Sequence, residues 1–236
     1  MEWLYGRNVV KLVMQPGGRR AHRLAATAAG LKALGPPPRD LPVETLTARE
    51  LDELCGSREH QGVALQVEAY PYASAEQVLR AGLIVVLDEV SDPHNLGAVA
   101  RSALAAGAGG LVVPRHRSAA VTPAAVKASA GAIETLPVAR VTNTVAFLKQ
   151  AKQAGFWVYG AAGEAAATYL SLDLTGRVAL VFGAEGHGLR PLVARTCDVL
   201  AAIPLAPGVE SLNVSVAAAV FLFEARRQSA GRDETR

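Results

Sequence analysis

Cysteine is scarce in this 236-residue chain: there are two, Cys55 and Cys197, and aromatic residues make up 5% of it. Two thiols in distant segments, with no Cys/His/Asp cluster at metal-ligand spacing, read as buried free thiols in a reducing cytoplasm and give no reason to expect a metal. Long apolar runs are missing too. No window reaches about 18 uninterrupted apolar residues, and the opening MEWLYGRNVV lacks the basic-then-apolar order of a secretory leader. A soluble cytoplasmic protein without membrane contact is the expectation. Charge of one sign is nearly balanced, at +3 overall, which alone does not establish a polyanion partner. Its distribution is more telling. Residues 1–40 hold Arg7, Lys11, Arg19, Arg20, Arg23, Lys32 and Arg39 against Glu2 and Asp40, so the N-terminal end is the basic end.

Half of the chain is hydrophobic, enough for a medium domain and a small one. Residues 1–70 read as a small α/β unit. A helix is expected over 8–14 and helical material over 25–34, ended by Gly35-Pro36-Pro37-Pro38. A strand over 43–46, a helix opened by Thr47 with Glu50 three residues on, and a strand over 63–67 follow. A proline and little periodicity mark 68–75, so the boundary falls there. The expected division is a first domain 1–70, a linker 71–81, a second domain 82–228 and a flexible tail 229–236. From Leu83 onward short apolar strands alternate with helical stretches, the pattern of a mostly parallel sheet covered by helices on both faces.

Three stretches of the second domain combine a strand end, a glycine and polar side chains. In LDEVSDPHNLGAVAR the strand over 83–87 feeds a loop carrying Asn95, expected at the cap of a helix starting near Leu96, with Arg101 able to lean back toward that loop. In RVALVFGAEGHGL an apolar strand stops at Gly183-Ala184-Glu185-Gly186-His187-Gly188, where backbone can approach a ligand closely. In IPLAPGVESLNVSVA a strand turns through Pro207-Gly208, and Ser211 is expected to open a helix whose first turn carries Asn213. The glycine spacing is G-x-x-G-x-G, not the dinucleotide G-x-G-x-x-G, and Glu185 would oppose a pyrophosphate. A cationic ligand without phosphate, such as S-adenosylmethionine, fits better. Taken singly, Asn95, Arg101, Glu185 and Asn213 are ordinary cap, surface or turn residues; their recurrence at three strand ends is what marks a site. His94 and His187 have no partner fixed by spacing, and Ser211 lacks a nucleophile elbow.

In order and spacing, DPHNLGAVAR, VFGAEGHGL and IPLAPGVESLNVSVA resemble the three motifs of the SpoU-TrmH branch of SPOUT RNA 2'-O-ribose methyltransferases. YGRNVV and HQGVALQV extend the resemblance over nearly the whole chain, toward the bacterial 23S rRNA guanosine 2'-O-methyltransferases. It implies an α/β fold with a C-terminal trefoil knot, preceded by a small RNA-gripping domain similar to ribosomal protein L30. It also implies S-adenosylmethionine as cofactor and a homodimer whose active site uses both subunits. The family's catalytic asparagine and arginine fall on Asn95 and Arg101, its motif glutamate on Glu185, and its third-motif residues on Ser211 and Asn213. Its cofactor contacts fall on Gly183, Ile203 and Leu212. Many members place a glycine where this chain has Pro207, which leaves the backbone contacts of that turn open. The implied activity is 2'-O-methylation of a large-subunit rRNA guanosine. The same chemistry on tRNA, and a non-catalytic RNA-binding protein on the same scaffold, are the alternatives.

Overall fold

A computed structural model describes residues 1–233; residues 234–236 of the expected tail lie outside the described residues. The chain runs β1 (Glu2–Tyr5), α1 (Arg7–Val13), β2 (Ala21–Ala26), α2 (Ala28–Leu34), β3 (Val43–Thr45), α3 (Ala48–Cys55) and β4 (Val63–Val67). It continues through α4 (Ala75–Val78), β5 (Leu83–Asp88), α5 (Pro93–Ala106), β6 (Gly110–Pro114), α6 (Pro123–Ala128), α7 (Ala132–Thr135), β7 (Val138–Val141) and α8 (Thr144–Gln153). β8 (Trp157–Ala161), β9 (Ala167–Thr168), β10 (Val178–Gly183), α9 (Pro191–Thr196), β11 (Val199–Ala202) and α10 (Val214–Asp233) complete it.

Two sheets result. The first has order β1-β4-β2-β3, with β4 antiparallel to both β1 and β2 and β3 parallel to β2. The second is seven-stranded, β7-β6-β5-β10-β8-β11-β9, and every pairing in it is parallel. Its central strands are apolar on both faces because both are covered. Val85, Leu87, Leu180 and Phe182 face α5 and α10, through Leu96, Val99, Ala218 and Phe221. The alternate residues Ile84, Val86, Ala179 and Val181 face α8, through Phe147 and Leu148. Phe182 and Phe221 meet edge to face with centroids 5.6 Å apart, which seats α10 on β10.

The small sheet is bound tightly to the large one. Arg19, with its side chain only 5% exposed, forks onto Glu134 of α7 at 2.9 and 2.6 Å and reaches Glu2 at 3.0 Å. Its guanidinium lies 5.4 Å from the centre of the Tyr70 ring, and Tyr70 Oη donates to the Ile133 carbonyl at 2.9 Å. A buried charge so fully paired holds two elements in one register. Arg19 is therefore spent inside the protein, and the basic excess of residues 1–40 available to a partner is smaller than its count.

Several expected elements need correction. Of the stretch 25–34 expected to be helical, Ala25 and Ala26 belong instead to β2, where strand pairing with β4 buries them with Leu24, and the helix α2 starts at Ala28. Within the expected linker, Ser74 caps α4 and Ala73 bridges to Ala139 of β7, so this stretch is ordered against the large sheet. α10 continues past Gln228 to Asp233, through most of the expected tail. The thiols of Cys55 and Cys197 are free, and burial pushes them up to about 11 and about 12. No helix among the described residues is long and apolar enough to cross a membrane.

Gly97 shows how closely α5 is packed. A Cβ there would meet the Ala125 carbonyl oxygen at 2.5 Å, Ala128 Cβ at 2.6 Å and Ser129 N at 2.8 Å. On an open helix face Gly→Ala would stabilise by about 1 kcal/mol. Here Gly97→Ala is expected to destabilise by about 1–3 kcal/mol through overpacking, read as a lower urea midpoint; a raised midpoint would refute this packing.

Candidate active site

The carboxyl ends of β5, β8, β10 and β11 lie along one edge of the parallel sheet, where open α/β sheets gather ligands. Two constraints shape the loop after β10. At its start, a Cβ on Gly183 would collide with the backbone of Gly188 and Leu189, so only glycine lets the loop fold back on the strand end. At its end, Arg190 is clamped to fully buried Asp88: the backbone N–H donates at 3.1 Å, and the guanidinium at 3.0 Å through Nε and 2.5 Å through Nη2. Those hydrogen bonds hold Arg190 above the usual guanidinium range. Glu89, next to Asp88, takes a left-handed backbone (φ 60°), and its carboxylate lies 3.4 Å from Arg190 Nη1 and 3.9 Å from His187 Nε2.

Held in this way, the loop presents Glu185 to two other segments. One carboxylate oxygen, Oε1, accepts from Asn95 Nδ2 at 3.0 Å, from Asn213 Nδ2 at 2.6 Å and from the Val214 N–H at 3.4 Å. Asn213 Nδ2 also donates to Asn95 Oδ1 at 2.9 Å, closing the triangle. Three of the anticipated residues from three strand ends thus meet at one atom. Charge-assisted bonds of this kind are about twice as strong as neutral ones, and they order the side chains even near the surface.

The helix starts differ from those expected. Asp92, not Asn95, caps α5: its Oδ1 accepts from His94 N at 2.8 Å and Pro93 takes the first helical position. Asn95 falls in the first turn, which frees its amide to cross to Glu185. Likewise α10 opens at Val214, because Asn213 supplies the cap: its Oδ1 accepts from Ser215 N at 2.9 Å and its carbonyl from Ala217 N at 3.0 Å. Ser211 and Leu212 remain in the loop before it. Arg101 does not lean back to the loop. Six residues beyond Asn95, it points about 120° away around the helix; it is exposed and has no hydrogen bond or ion pair among the described residues.

Beside this triangle lies a cavity of about 360 Å³. Gly183, Ile203 and Leu212 all line it, as do Glu185 and Ser211, whereas Asn95, Arg101 and Asn213 do not. Ala161, Ala162 and Gly163 at the end of β8, which belong to none of the three motifs, form another wall. Their signal in the sequence is a run of small residues directly after a strand. The walls are apolar or bare backbone, Glu185 and Glu210 bring negative charge, and no Lys, Arg or His lines the space. Such a donor set fits the sulfonium and adenosine of S-adenosylmethionine and opposes a pyrophosphate.

Known proteins share this architecture. Residues 82–223 match the model of the SpoU rRNA Methylase family, and residues 3–73 match the RNA 2'-O ribose methyltransferase substrate-binding model. A 23S rRNA (guanosine-2'-O-)-methyltransferase from Vibrio vulnificus is 37% identical over 96% of this chain and 97% of its own length. The enzyme of the same description from Xanthomonas campestris is 45% identical over 80% of this chain and 79% of its own length. Among solved structures, the SpoU methyltransferase AviRb of Streptomyces viridochromogenes, in complex with AdoMet, superposes with a TM-score of 0.80. Its identity is 26%, and the match covers 97% of this chain and 90% of that one.

The cap assignment is testable by stability alone. Asn213→Ala should cost about 1 kcal/mol of unfolding free energy, whereas Ser211→Ala should stay within roughly 0.5 kcal/mol. Chemical denaturation of both variants decides it; the reverse order would return the cap to Ser211.

Proposed function

The chain belongs to the SpoU rRNA methylase family, and from that premise we propose that it methylates the ribose 2'-hydroxyl of a guanosine in 23S rRNA, with S-adenosylmethionine as methyl donor. The observation that carries this reading is the juxtaposition of the basic-free, partly acidic cavity with the Asn95–Glu185–Asn213 triangle. The cofactor supplies an electrophilic methyl group when bound. Gly183, Ile203 and Leu212 would hold it, with Ser211 and Glu185 at its edge. An rRNA target is favoured over tRNA by relatives described as 23S rRNA enzymes that align over 96% of the chain, including the substrate-binding segment.

Within this reading residues 1–70 grip RNA, residues 71–81 connect, and 82–228 carry the chemistry in a trefoil-knotted fold, in the cytoplasm. Arg101 stabilises the negative charge developing on the 2'-oxygen. A guanidinium holds its proton far above neutral pH, so it is a poor base but a strong, forked donor. Its exposed position without a partner among the described residues of its own chain supports a homodimer in which it completes the neighbouring copy's site. Val216 and Phe223 of α10, both about half exposed, supply apolar surface for that contact.

Two measurements test this. Calorimetry should detect S-adenosylmethionine binding and no NAD binding at comparable concentration. Asn95→Ala and Arg101→Ala should each lower turnover by on the order of 10²-fold or more. Co-expressed together, they should recover roughly a quarter of wild-type activity, since random pairing makes half the dimers mixed and each mixed dimer has one complete site. No recovery would mean that Arg101 serves its own chain's site.

A further inference from the structure

A second recess lies on the same edge of the seven-stranded sheet, two strands away from β5, and its character is opposite. Tyr72, Ala73, Arg115, His116 and Arg140 line a space of about 490 Å³, with no carboxylate among them. We propose that this recess binds a backbone phosphate of the RNA substrate, flanking the nucleotide presented to the Asn95–Glu185–Asn213 triangle; the proposal rests on the RNA reading above.

The first argument is an unfilled donor. Arg140 Nη2 donates to the Arg115 carbonyl at 2.7 Å, and the guanidinium lies 5.3 Å from the centre of the Tyr72 ring. Arg140 Nε is buried and has no partner among the described residues. A buried N–H left unpaired costs about 1–3 kcal/mol, so this position calls for an acceptor that the chain does not supply. The second is uncompensated charge. Arg115 and His116 are exposed, and the side chains of neither have a hydrogen bond or ion pair among the described residues. Two guanidiniums and an imidazole around one recess without a counter-charge favour an anion, and arginine forks match phosphate geometry. Neighbouring Arg117 is left out of the set, since it faces Glu89 at 3.7 Å.

The third argument is placement. The Tyr72 wall is fixed, because its hydroxyl accepts from Val121 N at 2.8 Å and its ring meets Tyr70 edge to face. The loop that carries Arg115 and His116 is tied to the loop that leads to Asn95: Ser118 Oγ and Ala119 N both donate to the Val90 carbonyl, at 3.1 and 2.8 Å. With strands about 5 Å apart, β7 stands roughly 10 Å from β5. An RNA strand crossing this edge would meet the recess next to the reacting ribose.

The test uses the full-length protein, with an unmodified 23S rRNA transcript as probe. RNA affinity is measured against salt concentration for wild type, Arg115→Gln, Arg140→Gln and the control Lys149→Gln, whose lysine is exposed on α8 across the sheet. Each recess variant should bind RNA roughly tenfold more weakly and lose about one from the slope of log K against log salt. The loss should fall on KM for RNA rather than on kcat, with S-adenosylmethionine affinity unchanged. Lys149→Gln should match wild type. Because Arg115 is exposed, Arg115→Gln remains decisive even where Arg140→Gln disturbs the Tyr72 wall. If Arg115→Gln matches the control in affinity and slope while wild type binds RNA, the recess is not a phosphate site. If wild type binds no RNA at any salt, the RNA reading itself fails and the proposal falls with it.

Discussion

One carboxylate oxygen organises the functional edge of this protein. Glu185 Oε1 collects donors from α5, through Asn95, and from the start of α10, through Asn213 and Val214 N. Those segments come from three strand ends, so the triangle forms only if the sheet, both helices and the glycine loop are all in register. The rest of the large unit supplies that register. Phe182 against Phe221 seats α10, Gly97 lets α5 approach α6, and the Asp88–Arg190 clamp fixes the far end of the loop. A carboxylate so engaged ties three segments together.

The same constraint explains the contrast between the two recesses. Around the first, bare backbone, apolar side chains and two carboxylates exclude phosphate and suit a cationic cofactor. Around the second, arginines and a histidine without a counter-charge suit an anion. The two proposed sites thus sort cofactor and RNA backbone by charge along one sheet edge. The Arg19–Glu134 brace keeps the small sheet at a set orientation to this edge, which suits a substrate that touches both. An arginine so buried braces the small sheet and is not available to a partner.

Much of this is legible in the sequence, because the parallel sheet writes itself as apolar runs and its functional edge as glycine and polar residues at their ends. Strand β4 and the capping box of Thr47 and Glu50 need nothing more than local pattern. What escapes is set by tertiary partners. Strand β2 contains His22 and Arg23 among alanines and becomes a strand only by pairing with β4. The caps at Asp92 and Asn213 depend on which of several adjacent polar residues turns toward the helix, and by residue type alone Ser211 is as good a cap as Asn213. The fate of Arg19 is hidden for a similar reason: a charge count does not distinguish an arginine facing RNA from one buried between carboxylates.

This edge of the sheet is proposed to deliver a methyl group to a ribose oxygen of rRNA. The direct measurement is to incubate the full-length protein with an unmodified 23S rRNA transcript and isotopically labelled S-adenosylmethionine, then locate the label by nuclease digestion and mass spectrometry. One labelled 2'-O-methylguanosine at a single position is expected. Label on a base, or no label on RNA that the protein demonstrably binds, would contradict it.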